Sequence, residues 1–234
     1  MMLDSLLTEF SGRRHRVIAY RSGGRLDIEA WLADRGIPVE SRALPAGGPS
    51  PFLEIRTDGE VAGIVGVEAV EGLLEPPIRR PGERAGVSEG YRALFDLFDR
   101  TVFSGMSRRE LLAVSREIED RAFRVGAGTL WVSFQSLSTF ESQADVYRTL
   151  GAETDLDIRV YGVEYWTPPS ISGVTYRTDG AAALEPYWVL AYDGGPERTQ
   201  ACGLVAKGRS DEYTGFWTND PPTVEAVATA FHVV

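Results

Sequence analysis

Polar residues follow two predicted strands at the point where each strand ends. Gln135 and Ser136 come directly after the strand at 129–134 and open a helix, and Tyr161 and Gly162 end the next alternating strand. In open α/β sheets, ligands bind outside the carboxyl ends of the strands, and amides at the start of a helix can hold an anion. If the two strands are parallel neighbours, the four residues predict a small-molecule site at one sheet edge. Simple capping of the helix is the alternative.

A second group of polar residues lies on the predicted helix before that strand. Residues 116–124 are dense in charge, and Glu119 and Asp120 flank the apolar stripe of the helix. One of these carboxylates can turn into a cleft, where with Arg121 it would position a polar ligand. A solvated face of i,i+4 ion pairs, each contributing about 0.2–0.5 kcal/mol, is the alternative. The aromatic residues that either line a pocket nearby or fill the core are Trp131, Tyr161, Tyr165, Trp166, Trp188 and Trp217.

Residues suited to catalysis or metal binding are scarce. Cys202 is the only cysteine, and with His15 and His232 it leaves too few soft ligands for a zinc site. The chain has no phosphate-binding P-loop, no Gly-x-Ser-x-Gly elbow and no His-Glu-x-x-His pair. The doubled α/β pattern is similar to phospholipase-type folds, but these need a His-x-Lys pair in each half, and Lys207 is the only lysine. We therefore predict no catalytic residue and no metal site.

The charge of the chain excludes two classes of partner. Asp and Glu number 34 against 24 Lys and Arg, so the net charge is -10. This excess opposes an electrostatic grip on nucleic acid or on an anionic membrane. An acidic excess with almost no lysine is typical of the salt-adapted cytoplasm of halophilic archaea, where carboxylates hold water and counterions. Codon bias in a GC-rich genome is the alternative.

Hydropathy predicts a folded cytoplasmic protein. Hydrophobic residues make up 43% of the chain. The longest uninterrupted apolar run, residues 61–67, is far shorter than the roughly 20 residues that cross a bilayer. Asp4 stands where a secretory signal would carry basic residues. We therefore expect neither a membrane span nor a signal peptide.

The predicted elements indicate two units. The first 75 residues have the order α-β-α-β-β-β-α with a hairpin turn at Asp58-Gly59, and capping boxes at Ser107 and Ser138 open later helices. The predicted fold class is α/β, in the mixed α+β sense, with a mixed parallel and antiparallel sheet flanked by helices. One arrangement that fits this pattern is two related α/β modules packed together. The predicted domains are an N-terminal α/β module at 1–75, a linker rich in proline and glycine at 76–87, and a C-terminal domain at 88–234.

The C-terminal domain carries a series of short blocks, which are Glu119-Asp-Arg-Ala, Gly126-x-Gly-Thr-Leu, Phe134-Gln-x-Leu-Ser and Val160-Tyr-Gly. In this order the blocks closely resemble the DICT sensory domain, a family named for its association with diguanylate cyclases and two-component systems. The resemblance covers roughly residues 88–231, and the first 75 residues resemble the extension of stand-alone haloarchaeal members. The resemblance implies a sensory role in signalling, and it brings no established ligand and no catalytic residues.

These observations together predict a non-enzymatic sensory or ligand-binding signalling protein. A small molecule would bind at the strand edge and alter docking to a signalling partner protein. The sequence identifies neither the ligand nor a cofactor, and it leaves a homodimer open. A protein–protein adaptor without a small-molecule ligand is the first alternative, which a large exposed apolar patch would favour. An uncharacterised hydrolase is the second, which a buried carboxylate pair with shifted pKa values would favour.

Overall fold

The computed structural model describes residues 2–12, 15–71, 81–82, 97–163, 167–178, 181–209 and 212–231 of the 234-residue chain. The helices are α1 (Met2–Ser11), α2 (Asp27–Asp34), α3 (Val67–Glu71), α4 (Arg108–Val125), α5 (Leu137–Glu141), α6 (Ala144–Glu153) and α7 (Pro221–Ala230). The strands are β1 (His15–Arg21), β2 (Val39–Ala43), β3 (Phe52–Thr57), β4 (Glu60–Gly66), β5 (Phe103–Met106), β6 (Ala127–Ser136), β7 (Asp155–Val163), β8 (Val174–Arg177), β9 (Tyr187–Tyr192), β10 (Cys202–Arg209) and β11 (Glu212–Thr218).

The larger sheet has seven strands in the order β5-β11-β10-β9-β6-β7-β8. The strands β6, β7 and β8 run parallel to one another, and the remaining neighbours pair antiparallel. Because parallel neighbours cannot be joined by a tight turn, the chain between β6 and β7 must cross over the sheet, and it does so through α5 and α6. This crossover places α5 at the edge where β6 ends.

The smaller sheet has the order β2-β1-β3-β4, with β1 and β2 parallel and the other neighbours antiparallel. The turn from β3 to β4 has φ angles of 53° at Asp58 and 94° at Gly59. Two positive φ angles are what a type I′ hairpin turn requires, so the predicted Asp-Gly hairpin is confirmed. The two mixed sheets with their helices confirm the predicted α/β class.

The helices α1 and α7 cover one face of the larger sheet. Phe10 of α1 meets Phe216 of β11 edge-on at 4.8 Å, and Leu7 shares a buried cluster with Val227 of α7. The first helix of the chain therefore packs on the larger sheet, although it lies within the predicted N-terminal module. The domain boundaries stay a prediction, and the linker predicted at 76–87 lies largely outside the described residues.

The helix α4 and the smaller sheet lie on the opposite face. Alternate residues of β6 enter different clusters, because side chains of a strand point to opposite faces: Val132 packs with Ile118 of α4, whereas Trp131 packs with the cluster of α1 and α7. Val17 and Leu53 of the smaller sheet belong to the same buried cluster as α4. One continuous core thus runs from the smaller sheet through α4 to the larger sheet.

The ends of α4 are set by local sequence. The amide of Ser107 donates to Glu110 Oε2 at 2.7 Å, and Ser107 Oγ accepts from the Glu110 amide at 3.2 Å, which is the predicted capping box. The helix ends at Gly126, whose φ of 73° lies in the left-handed region that glycine adopts without strain. These two signals fix the rotation of the helix and so determine which of its charged residues are buried.

Candidate functional site

The predicted strand edge forms in the structure. The strands β6 and β7 are parallel neighbours, with Ser136 opposite Val163. A Cβ on Gly162 would come within 2.9 Å of the Leu137 amide nitrogen, because the chain that leaves β6 passes directly over this glycine. Ser136 and Gly162 are therefore adjacent, and the first backbone atoms of α5 fill the space between them.

Gln135 and Ser136 both have partners within the chain. Gln135 has a φ of 71°; its Nε2 donates to the Gly208 carbonyl at 2.8 Å, and its Oε1 accepts from the Tyr213 hydroxyl at 3.4 Å. Ser136 Oγ accepts from the Thr139 amide at 3.4 Å as the N-cap of α5. The helix α5 has only five residues, so its dipole is small. These side chains hold the local structure together, and their contact with a ligand stays a prediction.

Tyr161 and Trp131 face away from α4. Both lie in the cluster beneath α1 and α7, where the Tyr161 ring is 4.8 Å from Phe231. Burial raises the pKa of Tyr161 above its ordinary value, although the nearby Arg159 opposes this shift. Trp188 and Trp217 lie in the core on the other face, and Tyr165 and Trp166 lie outside the described residues.

Glu119 lies at the centre of a buried group of polar side chains between α4 and α6. Its side chain has 0% exposed surface, and its Oε1 accepts from the Tyr147 hydroxyl at 2.6 Å. The Arg116 guanidinium donates to Glu119 and also to Gln143, the residue before α6. We call these four residues, Arg116, Glu119, Gln143 and Tyr147, the Glu119 network.

The protonation states of the Glu119 network follow from its burial. Burial raises the pKa of Tyr147 well above its ordinary value, and the neighbouring charge of Glu119 raises it further, so the phenol keeps its proton and donates. Burial alone would lower the pKa of Arg116, but the adjacent Glu119 outweighs it, so the guanidinium stays charged. The result is a charged pair that a tyrosine and a glutamine complete.

Glu117 and Arg121 form a second cluster on another side of α4. Glu117 is fully buried; its Oε1 accepts from Arg121 Nε at 3.0 Å, and its Oε2 has no hydrogen-bond partner in the part of the chain that the structure describes. Arg121 also donates to Asn219 Oδ1 at 2.7 Å, just before α7. Burial raises the pKa of the adjacent Cys202 thiol to about 12, against an opposing hydrogen bond from Arg121.

Asp120 has a third set of surroundings. Its Oδ1 accepts from the Gly82 amide at 3.2 Å, and its Oδ2 lies 3.0 Å from Arg124. Because successive helical residues are about 100° apart, Glu119, Asp120 and Arg121 reach three separate surroundings and do not form one site. Sequence reasoning missed the burial of Arg116 and Glu117, since charged residues beside an apolar stripe resemble a solvated face.

The chemistry that these clusters offer is recognition and positioning. Glu117 and Glu119 are each paired with an arginine, which fixes the position of a helix. Among the described residues, no group of three or more His, Cys, Asp or Glu side chains could hold a metal ion. Within the same ranges, no helix has both the length and the apolar character that a membrane span needs.

Comparisons with known proteins give a family match and matches to solved structures. The model of the DICT family, described as a sensory domain in diguanylate cyclases and two-component systems, matches residues 95–209. No curated protein matches the chain. A crystal structure of polyphosphate kinase from Porphyromonas gingivalis is 12% identical with a TM-score of 0.36, over 94% of this chain and 46% of that chain. The chain thus spans less than half the length of that enzyme.

Proposed function

Residues 95–209 of this chain belong to the DICT family of sensory domains, and on that premise we propose that the protein is a non-enzymatic sensor of a signalling system. In this proposal it binds a small molecule in a salt-adapted cytoplasm and passes the change to a signalling partner protein. The observation that carries the proposal is the buried charge on α4, which joins helices from distant parts of the domain through a few polar contacts.

The Glu119 network restricts the packing of α6 on α4 to discrete arrangements. Removing charges from water costs several kcal/mol per ion, so a buried pair persists only with well-placed partners. Tyr147 and Gln143 supply these partners from α6 and the turn before it. If α6 shifts, the partners are lost together, so the network favours one arrangement over others. A ligand that binds one arrangement better would shift the population between them.

The strand edge remains the proposed point of ligand entry. Gln135, Ser136, Tyr161 and Gly162 stand at this edge, and Ser136 caps α5. The chain then runs through α5 to Gln143, so a ligand that moves α5 would also move a member of the Glu119 network. The proposed path of coupling is thus the six residues, 137–142, that separate Ser136 from Gln143.

A ligand screen by thermal unfolding tests the proposal. A panel of metabolites and nucleotides in molar KCl should contain a compound that raises the melting temperature of the native protein. The rise should disappear in Ser136→Ala and persist in Thr229→Ala, a control outside the proposed path whose hydroxyl donates to the Glu225 carbonyl on the exposed side of α7. A panel without any stabilising compound, or equal loss in both variants, would count against the sensor.

The salt-adapted part of the proposal has its own test. With a net charge of -10, the folded chain should gain stability as salt screens the repulsion between carboxylates. The melting temperature should therefore rise between low and molar KCl, and NaCl at equal ionic strength should reproduce the rise, because screening depends on ionic strength. A flat salt response would favour codon bias as the origin of the composition.

A specific observation favours an adaptor as the second candidate function. The exposed large hydrophobic residues of the described chain are Ile64 at 63% and Val61 at 52%, and both lie on the edge strand β4. An exposed apolar edge strand can pair with a strand of a partner. In this case Ile64→Arg should abolish partner binding and no compound should raise the melting temperature, whereas the sensor proposal requires such a rise.

A further inference from the structure

The two sheets meet along a line of polar contacts, which we call the seam. At the end of α2, Arg35 Nε donates to Glu110 Oε1 of α4 at 2.8 Å, and the Arg35 carbonyl accepts from the Ser104 amide of β5 at 3.1 Å. At the start of β1, the Thr101 hydroxyl lies 3.2 Å from the ring nitrogens of the buried His15. These polar contacts lie beside the continuous apolar core that also joins the two sheets.

A cleft of about 400 Å³ opens beside the seam. Its walls come from the end of α1, the start of β1, the loop between α2 and β2, and the residue before β5. A volume of this size lies within the range of small-molecule sites, which are roughly 300–1,000 Å³. The described residues that line the cleft are Phe10, Ser11, His15, Arg16, Gly36, Ile37, Pro38 and Val102.

The lining of the cleft suits an apolar molecule with a negative charge. Phe10, Ile37 and Val102 provide apolar walls, and the basic side of the lining comes from His15 and Arg16. None of the described lining residues is acidic, in a chain whose acidic residues outnumber its basic ones by ten. His15 and Arg16 are the last two residues of the basic run Arg-Arg-His-Arg at 13–16 of the sequence. Apolar walls with a few polar groups are the usual composition of a ligand site.

A structural role for the basic residues is the competing explanation. Cations near the C-terminus of a helix offset the negative end of its dipole, and α1 ends at Ser11. The last turn of α1 already has donors from its own chain, however: Ser11 Oγ donates to the Leu7 carbonyl at 2.7 Å, and the Gly12 amide donates to the Glu9 carbonyl at 3.2 Å. Arg16 instead pairs with Glu40 at 2.5 Å, an exposed partner that an anion can replace.

We propose that the seam cleft binds a small organic anion with an apolar body, such as an aromatic or branched carboxylate. The apolar body would lie against Phe10, Ile37 and Val102, and the anionic group would lie at Arg16 in competition with Glu40. The walls come from β1 of the smaller sheet and from α1, which packs on the larger sheet, so the bound molecule bridges the seam. Binding at the cleft is independent of the proposed function; its effect on signalling rests on that function.

Fluorine NMR with a simple aromatic acid tests the site in the intact protein. The probe is para-trifluoromethyl benzoate, and the uncharged benzamide and cationic benzylamine of the same shape are the controls for charge. The benzoate resonance should broaden and shift on addition of the protein, and the benzylamine resonance should not. Equal binding of the benzylamine and the benzoate, or no binding of the benzoate, would overturn the proposal.

Four variants locate the binding and separate it from damage to the fold. Arg16→Gln should weaken benzoate binding about tenfold through loss of a charge-assisted hydrogen bond. Val102→Phe should block the cleft, and Glu40→Gln should tighten binding because it removes the competing carboxylate. Arg148→Gln, an exposed ion-paired arginine of α6 outside the cleft, should leave binding unchanged. Opposite effects at Arg16 and Glu40 cannot come from misfolding, and equal effects at Arg16 and Arg148 would overturn the assignment.

Hydrogen exchange separates this inference from the proposed function. If the bound anion bridges the seam, the Ser104 amide should exchange more slowly when benzoate is present. Binding that obeys the variants without slower exchange at Ser104 would support the site and overturn its bridging role. Failure of the strand-edge variant Ser136→Ala to change ligand response would overturn the proposed function and leave the cleft as assigned.

Discussion

The same ion pair chemistry occurs in two regions of the molecule with opposite surroundings. On α4, Arg116 and Glu119 have 8% and 0% of their side-chain surface exposed, and they hold α6 through Gln143 and Tyr147. On the outer face of the smaller sheet, Arg16 and Glu40 have 62% and 34% exposed. The first pair fixes the position of helices, whereas the second covers the surface of a sheet.

The outer face of the smaller sheet carries a continuous row of polar contacts. Glu40 pairs with Arg42, whose guanidinium donates to the Tyr20 hydroxyl at 3.2 Å, and that hydroxyl donates to Glu54 at 3.2 Å. Arg56 lies beside Glu54 and holds the pKa of that carboxyl below its ordinary value. We call this row the surface ladder. Water and salt screen the contacts at its exposed end, Arg16, Glu40 and Arg42, so each of these contributes little to stability.

The comparison indicates where the protein can change shape. A buried network that loses one member leaves an uncompensated charge in the core, so it responds as a unit. When a side chain of the surface ladder is removed, water takes its place and solvates the charge that remains. We therefore expect signal-dependent changes to act through the Glu119 network and the seam, and we expect the surface ladder to tolerate substitution.

Loss of the buried carboxylate should have the largest effect. Glu119→Ala is expected to lower the free energy of unfolding by about 3–5 kcal/mol, because Arg116 stays buried without its partner and Tyr147 loses its acceptor. The matched change in the surface ladder, Glu40→Ala, should cost about 0.5 kcal/mol. Urea unfolding of both variants measures the difference, and similar losses in the two would remove the distinction between the regions.

A pair of glycines compares how tightly the two sheets are packed. A Cβ on Gly162 would lie 2.9 Å from the Leu137 nitrogen, whereas a Cβ on Gly66 of β4 would meet nothing within 4 Å. Gly162→Ala should therefore lower stability by about 1–3 kcal/mol through forced displacement of α5. Gly66→Ala should be neutral or slightly stabilising.

Thermal unfolding of the two glycine variants also bears on the strand edge. If Gly162→Ala were as stable as the wild type, the space beside Ser136 would be wider than the contact implies, and a ligand could enter without moving α5. A stable Gly162→Ala variant would thus support ligand entry at the strand edge without movement of α5, and it would count against coupling through α5.

Signals confined to a few neighbouring residues predicted the local structure well. The Ser107–Glu110 capping box and the Asp58-Gly59 hairpin are both present. Each depends on contacts between residues at most three positions apart, so the surrounding fold has little influence on it. The parallel pairing of β6 and β7, which the sequence left as a condition, is present in the structure, and the helical segments between the two strands form the crossover that it needs.

The helix after β6 shows where such signals mislead. The sequence places a capping box at Ser138, but the helix begins at Leu137 with Ser136 as its cap. Serine is a preferred N-cap residue, so either Ser136 or Ser138 could begin the helix. Which of the two acts as the cap depends on how β6 ends against Gly162 of the neighbouring strand. A local pattern does not contain that information.

The buried network lay beyond prediction for the same reason. Tyr147 and Gln143 reach Glu119 and Arg116 across 28 and 27 positions of sequence, and only the packing of α6 on α4 brings them together. The predicted site residues Glu119, Asp120 and Arg121 were chosen as neighbours in sequence. On a helix, however, neighbours in sequence point in different directions.

Glu29 of α2, whose carboxylate contacts the smaller sheet, is buried and provides a test by pH. Its buried carboxylate accepts from Ser41 at 2.6 Å, from the Leu26 amide at 2.8 Å and from Arg21 at 3.2 Å. Burial alone would raise the pKa of Glu29, but these hydrogen bonds outweigh it and hold the pKa below its ordinary value of 4.5. A lowered pKa contributes stability that is present above 4.5 and is lost as the pH falls through the lowered value.

The difference between wild type and Glu29→Gln isolates this contribution. At neutral pH the variant should be less stable by about 1–2 kcal/mol, because neutral hydrogen bonds replace charge-assisted ones. The difference should shrink as the pH falls below 4.5. If the stability difference between wild type and Glu29→Gln stayed constant over the acidic range, Glu29 would act through its shape alone. Its buried charge would then contribute nothing to the stability of the contact with the smaller sheet.

The smallest expected effect belongs to the surface ladder itself. A double-mutant cycle with Arg16→Gln and Glu40→Gln should give a coupling energy of about 0.5 kcal/mol or less, since both side chains are largely in water. Molar KCl should reduce the coupling further, whereas the loss caused by Glu119→Ala should persist in salt because ions do not reach that pair. A strong coupling between Arg16 and Glu40 that persisted in salt would mean that this pair is shielded from solvent. The contrast between a buried network that fixes the positions of helices and an exposed ladder that covers the surface of a sheet would then fail at Arg16, which also lines the seam cleft.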